Sequence, residues 1–254
     1  MAVKVLVIAG TLAPPQSEFY YRPLLNVAGE VVDYNNVSFE TISNLGLGDI
    51  KKSTAKIAKK HLYDSDDQWL IIGHSQGGII ATLLAIEYSA KVTATILIAS
   101  PLAGTTWTDP INMPVRYSVE FIAWLTKGRV RLRPKLRRML VPIPIVRDLA
   151  AHSDISEFNL AYLKNQVSGH HTYSIVGLAD WLVFPHRSAH PEGRFVHNFL
   201  IAPRSEYDLV KDKLPDNIEH VCTKVGHLFI IHNPEVLELI KSIILKHINI
   251  TQAA

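Results

Sequence analysis

The sequence predicts an α/β protein with a mostly parallel central sheet, flanked by helices and interrupted by one helical cap. Three observations carry this. Short β-branched runs alternate with helical segments, the pattern of βαβ units. The runs are apolar on both faces, as strands covered on two sides must be. One long stretch, 106–169, breaks the rhythm and is too long for a plain connection.

Val3 to Gly10 is the first buried strand, ended by glycine. Glu30 to Val37 reads as a second, more polar strand. Asp49 to Leu62 sets Ile50, Ala55, Ile57, Ala58 and Leu62 among lysines, the narrow stripe of a surface helix. Trp69 to Ile72 is a strand stopped by Gly73. Gly77 to Ser89 turns helical, and its apolar positions are too continuous for a surface helix. Thr93 to Ser100, Tyr173 to Gly177, Phe195 to Ala202 and Ile218 to Lys224 read as further strands. The last helix starts with Asn233 as N-cap and Pro234 at its first position. This divides the chain into a core, 1–105 and 170–254, and a cap, 106–169.

Composition narrows the function. The chain has 254 residues, 48% hydrophobic and 19% charged, enough for one large domain or at most two small ones, without disulfides. A net charge of +3, from 26 basic and 23 acidic residues, is too small for the footprint of a nucleic-acid binder. The lone cysteine, Cys222, forms no internal disulfide or cysteine-based metal site and reads as a small buried apolar side chain. His186, His190 and His197 with Glu192 match no usual ligand spacing. No charged leader opens the chain, and no apolar run approaches the roughly 20 residues that span a bilayer. The expectation is a soluble, cytoplasmic protein.

Gly73-His74-Ser75-Gln76-Gly77 is a G-x-S-x-G string. Its setting gives it weight: it follows an apolar strand and opens a helix. A serine there sits on a sharp, strained turn, and the glycines remove Cβ atoms that would clash. The turn lifts the Ser75 hydroxyl above the sheet. It also sets the Gln76 N–H at a helix N-terminus, facing a developing oxyanion.

On this motif the chain resembles the α/β-hydrolase superfamily, and within it the lipases and esterases. The resemblance spans essentially the whole chain outside the cap. It implies the triad order nucleophile, acid, base. Asp180 matches the acid: it lies just past the 173–177 strand, and Val183-Phe184-Pro185 follows, as in the acid loop of lipases. Asp154, Asp208, Asp212 and Asp216 each lack a preceding buried strand. His227, in Val225-Gly226-His227-Leu228, resembles the catalytic-histidine loop of bacterial lipases, unlike His220 within a strand or His232 beside the Asn233 cap. The second oxyanion donor comes from the loop after the first strand. Many lipases have His-Gly there. This chain has Ala9-Gly10-Thr11-Leu12, resembling fungal lipases with Gly-Thr, so Thr11 is the candidate and Leu12 its neighbour.

The resemblance implies a serine carboxylesterase or lipase acting on a small-molecule or lipid ester, with no cofactor and no metal. A thioesterase or acyltransferase would use the same triad, and a catalytically silent binding protein would keep the fold. His74, Trp107, Phe121 and Trp124 are candidate substrate contacts; the cap aromatics either line an acyl pocket or form the cap's own small core. The basic run Lys127 to Arg138 is either a solvated face or a peripheral contact with anionic lipid. Oligomeric state is not legible.

Overall fold

The computed structural model describes residues 2–11, 13–42, 48–102, 171–177, 218–223 and 226–253. The expected cap 106–169 and the 195–202 strand lie outside the described residues. So do Leu12, Trp107, Phe121, Trp124 and Asp180.

The elements, in chain order, are β1 (Val3–Ile8), α1 (Glu18–Val32), β2 (Val37–Glu40), α2 (Ile50–His61), β3 (Gln68–His74), α3 (Gln76–Glu87), β4 (Val92–Ile98), β5 (His171–Gly177), β6 (Ile218–Thr223) and α4 (Pro234–Ala253). The six strands form one sheet in the order β2-β1-β3-β4-β5-β6, every pair parallel.

The pleat sorts the strand side chains between two helix layers. Val5 and Val7 of β1, Leu70 and Ile72 of β3, and Ile96 and Ile98 of β4 share one face with Tyr21, Leu24 and Ala28 of α1 and Ile240 and Ile244 of α4. Leu6, Ile8, Ile71 and Leu97 point the other way, onto Ile50 and Ile57 of α2 and Ile79, Ile80 and Leu84 of α3. β1, β3 and β4 are buried on both faces, which is why their sequences are continuous apolar runs rather than alternating ones. Fully burying one such side chain stabilises by about 1.5–3 kcal/mol.

Two helix starts follow the expected chemistry. Asp49 caps α2 by accepting the Lys52 N–H at 3.0 Å, and Asn233 accepts the Val236 N–H of α4 at 3.1 Å.

One expectation is overturned. Glu30 to Val37 is not a strand: α1 continues through Val32, and the strand is Val37–Glu40. The Val31-Val32 pair has strand-like propensity, but Tyr21, Leu24, Ala28 and Val32 form a helical stripe buried against the sheet. Tertiary burial outweighs the local preference. Asp33, at φ 73°, ends the helix and accepts the Asn35 N–H at 3.0 Å, so the chain turns before β2 begins.

The strand order creates a topological switch point. From β1 the chain passes through α1 to β2 on one side; from β3 it passes through α3 to β4 on the other. The loops leaving the neighbouring carboxyl ends of β1 and β3 therefore diverge, toward helices on opposite faces. Ligands in open parallel sheets sit at such a switch point.

Candidate active site

Ser75 stands at this switch point. It links the end of β3 directly to α3, leaving no residue for a loop. The turn forces it to φ 54°, ψ −124°, a conformation side-chain-bearing residues rarely adopt. Backbone bonds hold it there: its N–H donates to the Ile98 carbonyl at 2.8 Å, and its carbonyl accepts the Gly78 N–H at 3.0 Å. A Cβ at Gly77 would collide with the Ile8 carbonyl oxygen, and one at Gly73 with the Gly77 carbonyl. Only glycine lets α3 start this close to β1 and β3, as the motif requires. From Trp69 to Ala85 every residue is buried except Ser75, which keeps partial solvent access. From 69 to 85 the fold thus covers every residue but the serine.

Gln76 is the first residue of α3, so its backbone N–H is among those with no partner inside the helix. Its side chain is fully buried, and Oε1 accepts the Thr11 hydroxyl at 2.9 Å. The two expected oxyanion residues are thereby joined across the divergent loops. Gln76 Nε2 is buried with no hydrogen-bond partner among the described residues. Gly10 permits the close approach: a Cβ there would lie 2.9 Å from the Ser75 Cβ.

His227 lies in the turn between β6 and the short 3-10 turn Ile230–His232. It is 5% exposed, and its ring lies 4.9 Å from that of His74, tilted by 40°. His74, the residue before Ser75, is 3% exposed; its Nδ1 meets the Tyr21 hydroxyl at 2.8 Å and its Nε2 the His227 carbonyl at 3.2 Å. Tyr21 also accepts the Gly10 N–H at 3.0 Å. Burial pushes the Tyr21 phenol well above its ordinary range and outweighs the opposing Gly10 hydrogen bond; the neighbouring Tyr20 raises it further. It stays a protonated donor throughout the working range of pH.

Of the expected site residues, the structure gathers Thr11, His74, Ser75, Gln76 and His227 at the carboxyl edge of the sheet. Asp180, Leu12 and the cap aromatics lie outside the described residues. Sequence reasoning missed Tyr20 and Tyr21. Only the buried stripe of α1 would have pointed to Tyr21. Among the described residues, no group of three or more His, Cys, Asp or Glu side chains forms a metal site. None of the described helices is long and apolar enough to cross a membrane.

No protein-family model and no curated protein matches the sequence. Solved structures do match it. A meta-cleavage product hydrolase from Pseudomonas fluorescens is 17% identical, with 99% of this chain and 92% of that chain covered and a TM-score of 0.58. A lipase-esterase related protein from Clostridium acetobutylicum is 14% identical, covering 94% and 93% with a TM-score of 0.52. The thioesterase domain of the curacin biosynthetic pathway is 16% identical, covering 96% and 90% with a TM-score of 0.51. With the parallel sheet and the strained serine turn between β3 and α3, these likenesses establish that this chain has the α/β-hydrolase fold.

Proposed function

We propose that this protein is a serine hydrolase that cleaves carboxylic esters through an acyl-enzyme on Ser75. The observation that carries the reading is Ser75 itself: a strained serine between β3 and α3, alone in keeping solvent access within a buried unit. A serine with only a structural role has no need of such a conformation.

In this mechanism His227 takes the Ser75 proton as Oγ attacks the ester carbonyl. Asp180 holds the imidazole tautomer and stabilises the imidazolium. The Gln76 N–H, at the positive end of α3, and Thr11 stabilise the tetrahedral oxyanion. Collapse expels the alcohol, which takes its proton from His227. The histidine then activates water to release the acid. The cap 106–169, with Trp107, Phe121 and Trp124, supplies the acyl pocket. The fold alone does not choose among acyl chemistries, and the site residues carry the assignment.

The test is initial rates on p-nitrophenyl esters of increasing acyl length and on matched acyl thioesters, with Ser75→Ala alongside and fluorophosphonate labelling of both proteins. The expected result is ester hydrolysis and labelling by the wild type, both lost in Ser75→Ala. Full activity in Ser75→Ala overturns the reading. A strong preference for thioesters moves the substrate class while keeping the serine mechanism. An unlabelled wild type, inactive on every substrate, points to a fold kept for binding.

A further inference from the structure

We infer that Tyr21 and His74 are positioning residues for the catalytic base, forming a one-directional hydrogen-bond relay that ends on the backbone carbonyl of His227. The inference rests on the reading of Ser75 and His227 as nucleophile and base, and deepens it.

The direction of the relay follows from its two ends. The Gly10 N–H only donates and the His227 carbonyl only accepts. His74 therefore carries its proton on Nε2, donating to the His227 carbonyl at 3.2 Å. In that neutral tautomer Nδ1 is an acceptor, so the Tyr21 hydroxyl donates to it at 2.8 Å. The Tyr21 oxygen in turn accepts the Gly10 N–H at 3.0 Å. Along the relay Tyr21 and His74 each donate once and accept once, so neither of their hydrogen bonds reverses without the other. Tyr21 and His74 are each 3% exposed, so water offers little competition.

The relay joins the three loops that must stay in register for acyl transfer. Gly10 precedes Thr11 in the loop after β1. His74, the last residue of β3, precedes Ser75. His227 lies in the loop after β6. Tyr20 adds a second hold on the last of these. Its hydroxyl donates to the Leu228 carbonyl, and its ring packs edge-on against His232 at 4.6 Å between centroids. Two consecutive tyrosines of α1 thus secure two consecutive carbonyls of the base loop, one directly and one through His74. With its backbone fixed, the His227 imidazole can reach Ser75 only through its own side-chain torsions. No proton moves along the relay during the reaction; it holds geometry.

The test compares Tyr21→Phe, His74→Leu and His74→Gln with the wild type. Phenylalanine keeps the Tyr21 ring and removes its oxygen. Leucine removes both His74 nitrogens, whereas glutamine restores an N–H donor near the Nε2 position. As a control for lost stability, Ile243→Val loosens the core on α4 while leaving every hydrogen bond of the relay in place. The expected result is a kcat about 10- to 100-fold lower in Tyr21→Phe and His74→Leu, with KM within about threefold. Fluorophosphonate inactivation slows in parallel, and His74→Gln recovers most of the loss. Ile243→Val leaves kcat at the wild-type value. A residue that served stability alone would show neither the kcat-against-KM split nor the rescue. A kcat within twofold of wild type in Tyr21→Phe, with Ser75 labelled normally, overturns the relay, and this variant decides if His74→Leu does not fold. Failure of fluorophosphonate to label wild-type Ser75 instead overturns the parent reading, and the positioning role falls with it.

Discussion

Replacing Ser75 by glycine should make the protein more stable as it makes it inactive. At φ 54°, ψ −124°, Ser75 is held where a Cβ is crowded and glycine is not. Such a conformation costs a side-chain-bearing residue about 1–3 kcal/mol. Glycine gives back about 0.5–1 kcal/mol through the greater freedom of the unfolded chain. At the middle of both ranges the net gain is about 1 kcal/mol. The proper comparison is Ser75→Ala, which keeps the Cβ and its strain while losing the same hydroxyl. That hydroxyl makes no capping bond to α3, so its loss cancels in the comparison. For a domain of this size 1 kcal/mol moves Tm by about 2–4 °C, so Ser75→Gly should melt by about that much above Ser75→Ala. Urea denaturation at 25 °C, with calorimetry in parallel, reads the difference. A glycine variant equal to or less stable than the alanine variant would refute the idea that the turn stores strain.

Two further outcomes follow from the site and its surroundings. Thr11→Val should lower kcat/KM by less than about tenfold, because the hydroxyl proton is engaged by Gln76 Oε1 and the backbone N–H remains; a fall of about 10²–10³ would mean that the Gln76 amide is reversed and the hydroxyl serves the oxyanion. At the edge of the sheet, burial pushes the Glu40 carboxyl up, but hydrogen bonds from His61, at 2.7 Å, and Lys60 outweigh it and hold the group below its ordinary range. Its stabilising contribution is therefore present above the ordinary glutamate value, about 4.3, and is lost as pH falls through the lowered folded value. The stability gap between wild type and Glu40→Gln should close on acidification through that range, and urea titrations that show it widening would contradict the assignment.

The sequence made the sheet legible wherever burial on both faces wrote a continuous apolar run, as in β1, β3 and β4. Ser75 and Gln76 were legible because the elbow is local: five consecutive residues specify it. α1 was not, because Pro23 falls within it and its helical stripe shows only over a window longer than the Val31-Val32 pair. The relay was hidden for another reason. Tyr21 and His74 are 53 residues apart, and His74 and His227 are 153 apart, so no local pattern records that they meet. Conversely, the Gly-Thr of the first loop pointed to Thr11, but only the folded chain shows that its hydroxyl is bonded to Gln76.

The same separation has a consequence during synthesis. The strained turn, its glycines and α1 are all encoded before residue 103, whereas the segment bearing the base emerges 153 residues after His74. At about 5–20 residues per second, a ribosome needs roughly 8–30 s to cover that distance. Throughout this interval a nascent chain can carry Ser75, the proposed nucleophile, without the histidine proposed to deprotonate it. On the proposed mechanism, a finished serine turn is chemically mute until α4 docks beside α1, and the order of translation itself keeps the half-built chain from acylating.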